Sequence, residues 1–477
     1  MFKKLITRCL GIAGISLTVA ACVTPPVVER TANKTVPARY YESQDTTSTA
    51  KVQWKDFFTD PQLNDLIDLV LKNNQELNIT LQEIAISQNE IRVRKGEYLP
   101  FLGIRGGAGV EKVGRYTNIG ASEATTDIAP ETETPEPLPD FMLTAFASWE
   151  VDIWRKLRNA KKSAMFRYMS TAEGKNFLVT QLVAEVANSY YELLALDNQL
   201  EILKRNIEIQ QNALDIVRME KMAARVTELA VRRFEAEVFK NQSRQYDIQQ
   251  TIIETENRIN FLVGRYPQPI PRNSKAFNEL VPSTIYAGIP AQLLENRPDV
   301  RQAELDLAAN KLDVQVAKAN FYPSLRITAG IGFQAFNPSY LLKMPESMLY
   351  SLAGDLVAPL VNRNAIKAAY YSANARQLQA VYNYERTVLR AYLEVANQLS
   401  NIGNLATSYE LREKQVQALN QSINISTGLF KSARADYMEV LLTQRDALES
   451  RIELIETKKQ QMHAIVNIYQ ALGGGWK

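Results

Sequence analysis

The sequence predicts a mainly helical chain that also adds strands to a transmembrane β-barrel and repeats one plan twice. Three observations carry that prediction. The first is a recurrence at a fixed offset of 209 residues: Glu185-Val186-Ala187-Asn188 returns as Glu394-Val395-Ala396-Asn397, and Arg225, Ile259 and Gly264 return as Arg434, Ile468 and Gly473. A gap-free offset of that length means a duplicated long hairpin, and such symmetry belongs to stacked or ringed architectures. The second is a strict seven-residue rhythm. Val381, Val388, Val395, Ile402, Tyr409, Val416, Ile423 and Phe430 follow it, as do Ala172, Val179, Val186, Leu193, Leu200, Ile207 and Leu214. A sustained heptad demands left-handed supercoiling against neighbours. The third is a set of short segments that alternate apolar and polar residues beside helices, the period of a strand between two media.

The elements follow in order. Lys3, Lys4 and Arg8 precede an apolar run over residues 10–21, the layout of a secretory signal and too short for a membrane span. The run ends Val19-Ala20-Ala21-Cys22, which resembles a bacterial lipobox with Cys22 as the lipidated first residue; an unmodified signal is the alternative. Val23 stands where an Asp would favour inner-membrane retention, so the resemblance points to the outer membrane. Cys9 leaves with the signal, and the mature chain has no disulfide. Residues 23–50, rich in Thr, Pro and Ser, read as an extended tether.

Asp60-Pro61 opens a helix that runs to about Glu97 and stops at Pro100. Residues 102–110 form a first strand, and residues 111–140, polar and acidic, read as a mobile loop. Residues 141–152 alternate: Phe141, Leu143, Ala145, Ala147, Trp149 and Val151 against Met142, Thr144, Ser148, Glu150 and Asp152. The second half repeats this, with a helix over 299–319, alternation from Leu325 to Phe333, and a weaker strand over 350–356. The return helices carry heptads too, through Leu441, Leu448, Ile455, Met462 and Tyr469, and through Phe239, Tyr246 and Ile253. The domains are therefore a signal at 1–21, a lipidated tether and equatorial segment at 22–60, a first repeat at 61–264, a linker and equatorial segment at 265–297, a second repeat at 298–473 and a tail at 474–477. Gly473-Gly474-Gly475 reads as a helix stop and flexible exit.

Four strands cannot close a barrel, because about eight is the smallest known, so the chain oligomerises to hide its edges. A cyclic homo-oligomer is the economical solution. A net charge of +3 over 477 residues selects neither nucleic acid nor a membrane surface. No catalytic constellation or phosphate loop is present, and no cofactor is expected. His463, the single histidine, has no clustered ligand partner and reads as a packed residue rather than a metal site.

The residues Leu294-Glu295-Asn296-Arg297-Pro298-Asp299-Val300-Arg301, with Ala319-Asn320-Phe321-Tyr322-Pro323-Ser324-Leu325, resemble the signature of the TolC family of outer-membrane efflux proteins, in its lipoprotein branch. Trp54, Phe57, Asp60-Pro61 and Leu63, and the run from Trp149 to Trp154, are similar to that branch as well. The resemblance implies a homotrimer with a 12-stranded barrel continued by a long periplasmic α-helical barrel. It also implies a periplasmic adaptor and an inner-membrane RND-type pump as partners. Function then sits at the helical tips, and the resemblance points to Arg225, Glu228, Arg232, Arg434, Asp436 and Glu439 for gating or adaptor contact. Ala224 and Ala433 replace the family's tip glycines, and Leu442 replaces an acidic residue. The reading is a passive efflux duct for drugs or other small toxic compounds. A type I protein-secretion duct is the alternative from the same fold, and a coiled-coil scaffold the alternative without transport.

Overall fold

The computed structural model describes residues 24–40, 47–282, 285–361, 363–432 and 434–476. The signal at 1–21, Cys22 and Ala433 lie outside the described residues. The chain divides into two compact units, each drawing on both repeats: the described part of Met1–Thr31 with Ala85–Met169 and Leu305–Tyr382, and Ala32–Ile84 with Ser170–Glu304 and Asn383–Lys477.

The first unit is organised by one antiparallel sheet. Its strands are β1 (Phe101–Glu111), β4 (Leu138–Val151), β5 (Ser324–Ala335) and β6 (Met348–Val357), in the order β1-β4-β5-β6. Register sorts the side chains into cross-strand rows. Leu102 faces Ala147, which faces Ala329, which faces Leu352; Ile104, Ala145, Ile331 and Tyr350 form the next row. On the opposite face Glu150, Arg326 and Asp355 stand in register. The apolar rows remain exposed, with Leu102, Ile104, Leu352 and Tyr350 each at 75% or more. Strands of 10 to 14 residues match the 9–11 needed to cross a bilayer at a tilt. Among the described residues no helix is long and apolar enough to span.

Residues 111–140 are more structured than the expected loop. They hold a short helix, Asn118–Glu123, and a small hairpin of β2 (Asp127–Ala129) and β3 (Thr132–Glu133). Thr117 caps the helix through the Gly120 N–H, and Arg115 pairs with Glu136 at 3.0 Å. The strand-to-helix junction after β4 is built by Asp152, whose carboxylate accepts the Leu157 and Arg158 N–H groups at 3.0 and 2.9 Å.

The helices of the second unit pack around a main core, with two smaller apolar clusters further along the hairpins. The helix expected from Pro61 to Glu97 is two helices, α1 (Pro61–Asn73) and α2 (Gln75–Tyr98). Asn74 makes the break: its Oδ1 accepts the Leu77 N–H and its Nδ2 donates to the Leu262 carbonyl, both at 2.9 Å. Leu63, Ile67 and Val70 of α1 are fully buried in a cluster with Val186, Tyr190, Leu193, Ile259 and Met462. The long hairpins pair α3 (Lys156–Met222) with α4 (Glu228–Val263), and α6 (Asn364–Lys431) with α7 (Tyr437–Ala471), with α5 (Pro298–Ala319) between them in sequence. At 1.5 Å per residue, the 67 residues of α3 run about 100 Å.

Two further expectations change. The described residues of the 23–50 tether, 24–40 and 47–50, include stretches laid down on the protein. Val27 packs beside Phe321 and Tyr370; separately, in the second unit, Lys34 pairs with Glu304 and Tyr40 stacks on Tyr392 at 5.3 Å. The triglycine is no flexible exit either. Gly473, Gly474 and Gly475 are buried, and a Cβ on Gly474 would lie 2.3 Å from the Tyr469 ring. That ring stacks on Phe57 at 4.0 Å, and its hydroxyl donates to the Val52 carbonyl at 2.6 Å.

Candidate functional site at the hairpin tips

The first tip turns over residues 223–227 in a Schellman motif. The Ala224 N–H donates to the Lys221 carbonyl and the Arg225 N–H to the Glu220 carbonyl, both at 2.9 Å. That geometry places Ala224 at φ 51°, where glycine is the usual residue. The second tip repeats the bond at the 209-residue offset, from the Arg434 N–H to the Leu429 carbonyl. Beneath the turns Leu214, Val217, Val231, Phe234 and Leu441 form an apolar cluster with Val226 and Tyr437 against it, so both hairpins meet there. Arg233 crosses between them, its Nη1 donating to the Met438 Sδ at 3.3 Å.

The first tip's charges form a network. Glu228 pairs with Lys221 and, at 2.9 Å, with Arg232. Arg232 also reaches Glu235 at 2.8 Å, and Glu235 takes Arg218 at 3.2 Å. The hydrogen bond from Lys221, with Arg232 beside it, holds the Glu228 carboxyl below the usual carboxylate range. Glu235 was not picked out from the sequence; its i+3 spacing from Arg232 was the available signal.

The second tip differs. Among the described residues Arg434, Asp436 and Glu439 enter no ion pair, nor does Arg225. Asp436 is the N-cap of α7, without a side-chain cap bond, and Glu439 sits in its first turn. Both carboxylates thus face a helix N-terminus, which favours negative charge. The structure brings Glu228 and Arg232 together and leaves the other four predicted residues without an ion pair among the described residues.

Sequence reasoning also missed what Arg297 does. Its guanidinium, 5% exposed, grips Asp299 through two bonds of 2.9 and 2.7 Å. It also donates to Glu394 at 2.7 Å and to the Ala471 carbonyl at 2.9 Å. Burial opposes its charge, and the two carboxylates more than restore it. His463 is a packed residue: its Nε2 lies 3.0 Å from the Asn188 carbonyl, which only accepts, so Nε2 carries the proton.

A sheet with an exposed apolar band and, in the other unit, long paired helices with charged tips define a class: a channel of the outer membrane. The family of outer membrane efflux proteins matches residues 66–265 and 289–474. The pyoverdine export outer membrane protein OpmQ of Pseudomonas aeruginosa is 26% identical over 425 residues, covering 89% of this chain and 88% of its own. The cation efflux system protein CusC of Escherichia coli O6:H1 is 25% identical over 472 residues, with 97% and 98% covered. The open-state MtrE outer membrane channel of Neisseria gonorrhoeae superposes with a TM-score of 0.80 at 21% identity, covering 96% of this chain and 99% of that one. The chain belongs to the outer membrane efflux protein family. It is an outer-membrane efflux channel, and its pump includes an adaptor and an inner-membrane component.

Proposed function

We propose that the protein is a passive homotrimeric duct. Three copies, each with four strands, complete a 12-stranded barrel, and the hairpins ring a periplasmic tunnel. The observation that carries this is the four-stranded sheet, with β1 and β6 as open edges and an apolar band on one face. Free edges invite pairing, and a closed ring of copies removes them. The two repeats at 61–264 and 298–473 supply equivalent hairpins, and Cys22 carries the lipid anchor.

The tips Arg225, Glu228, Arg232, Arg434, Asp436 and Glu439 form the periplasmic gate and meet the adaptor, with an RND-type pump beyond it. That Arg434, Asp436 and Glu439 enter no ion pair among the described residues supports this, since charges at a ring's mouth find partners on neighbouring copies. Exposed ion pairs contribute only about 0–1 kcal/mol each, so a gate of several opens under modest adaptor contacts. Cargo is a drug or another small toxic compound; OpmQ and CusC are named for pyoverdine and for cations, so similar ducts serve dissimilar cargo.

Single-channel conductance in lipid bilayers tests the gate. Wild type passes small currents, and Asp436→Asn with Glu439→Gln passes larger ones. Equal conductance in both removes the gate from these residues. No current in either, despite confirmed insertion, removes the duct.

A further inference from the structure

Between two apolar clusters of the hairpin bundle lies a layer of amides. Below it toward the tips are Leu214, Val238 and Leu441; above it are Leu203, Ile248 and Leu448. The layer itself holds Asn206 and Gln210 on α3, Asn241 on α4 and Gln444 on α7, at 6%, 0%, 1% and 8% exposure. One hydrogen bond joins them, from Asn241 Nδ2 to Gln210 Oε1 at 2.8 Å. Asn206 Oδ1, Gln210 Nε2 and Gln444 Oε1 are buried with no partner among the described residues.

The duplication places polar groups at the corresponding positions of the second hairpin. Asn206 corresponds to Gln415 and Asn241 to Ser450, and Gln415 Nε2 donates to Ser450 Oγ at 3.0 Å. A polar pair between the two helices therefore belongs to both copies of the hairpin. The difference is that the first hairpin's layer is left incomplete. A buried polar group without a partner weakens its surroundings, and a half-satisfied network holds less well than an apolar layer. The helices are thus bound firmly above and below this level and weakly at it.

We propose that this layer is the hinge of the tips, the level below which the two hairpins part as a unit. The proposal rests on reading the tips as a gate, and its test separates the two. Opening at a weak layer exchanges poorly paired amides for water, whereas opening within either apolar cluster exposes leucine and valine.

The experiment is hydrogen exchange followed by mass spectrometry on the full-length protein in lipid nanodiscs. In wild type, amides of 211–240 and 431–443 exchange ~10-fold faster than those of 186–205 and 448–466, with the step at the layer. The double variant Gln210→Met with Asn241→Leu fills the layer with apolar volume and slows tip exchange to the rate above it. Gln444→Leu, acting from the other hairpin, slows it in the same direction and decides the matter if the double variant does not fold. A smooth gradient of protection toward the tips, or tip exchange unchanged in the folded variants, overturns the hinge. Slowed exchange with unchanged single-channel conductance keeps the hinge and removes the gate.

Discussion

Ala224 holds a backbone angle that L-residues with a Cβ resist by roughly 1–2 kcal/mol. Its helix is stopped by the Schellman bonds, so the strain is carried by the turn rather than relieved. Ala224→Gly relieves it, with a net gain of about 0.5–1 kcal/mol after the extra freedom of glycine in the unfolded chain. Slower hydrogen exchange of the amides around residue 224 is the expected readout. His463 makes a prediction of opposite character. Burial first, then Lys459, pushes its imidazole below the ordinary value, against the Asn188 carbonyl, Glu192 and Glu456. Arg258, Glu76 and Glu185 line the same recess. The folded state therefore binds this proton less tightly than the unfolded chain. Stability from the neutral form is full above the ordinary histidine value of about 6.5 and declines as pH falls below it. His463→Gln keeps a donor for Asn188, and its melting temperature falls less than wild type between pH 7.5 and 5.5.

At the scale of elements, α4 shows where a heptad misleads. Phe239, Tyr246 and Ile253 form an apolar row, yet they are 61%, 69% and 51% exposed. The buried row is Phe234, Asn241, Ile248, Thr255 and Leu262, whose two polar members hide it from any count of apolar residues. In the proposed homotrimer, this exposed row is the surface that a neighbouring copy covers. Phe239→Glu with Tyr246→Glu, which each forfeit about 1.5–3 kcal/mol of apolar burial, shifts the assembly from trimer to monomer in native mass spectrometry. A trimer that survives unchanged places the interface elsewhere. The strands, the long helices and both tip turns were legible because their periods and stops are local. The break at Asn74 was hidden because no proline or glycine marks it; the signal is an Asn whose side chain caps the next helix. The tip charges were legible by type, but their pairing depends on which face of α3 and α4 each residue takes. That depends in turn on the misread row.

The whole molecule turns on long-range ties that no local pattern announces. Arg297 joins the start of α5, the middle of α6 and the last turn of α7. Arg297→Ala leaves the Asp299 carboxylate, 16% exposed, without its partner while Glu394 keeps Arg390, and breaking a buried pair costs up to about 3–5 kcal/mol. A large drop in the melting temperature of the folded protein is expected, and Arg297→Lys, which keeps charge without the fork, falls between. A melting temperature equal to wild type would show the cluster to be ornamental.

The sheet carries a consequence in time rather than in space. Phe141 pairs with Ala335, and Val151 with Leu325, so β4 finds its neighbour only across the whole of α3, α4 and α5. Pairings this distant in sequence form late, because the closure entropy of the loop comes before any contact. The hairpin of β1 and β4 therefore waits with a bare, apolar rim while the second half of the chain arrives. During that interval the nascent protein is at its most vulnerable to the wrong neighbour, another copy of itself included. The tempo of export, as much as the final fold, decides how many channels are made.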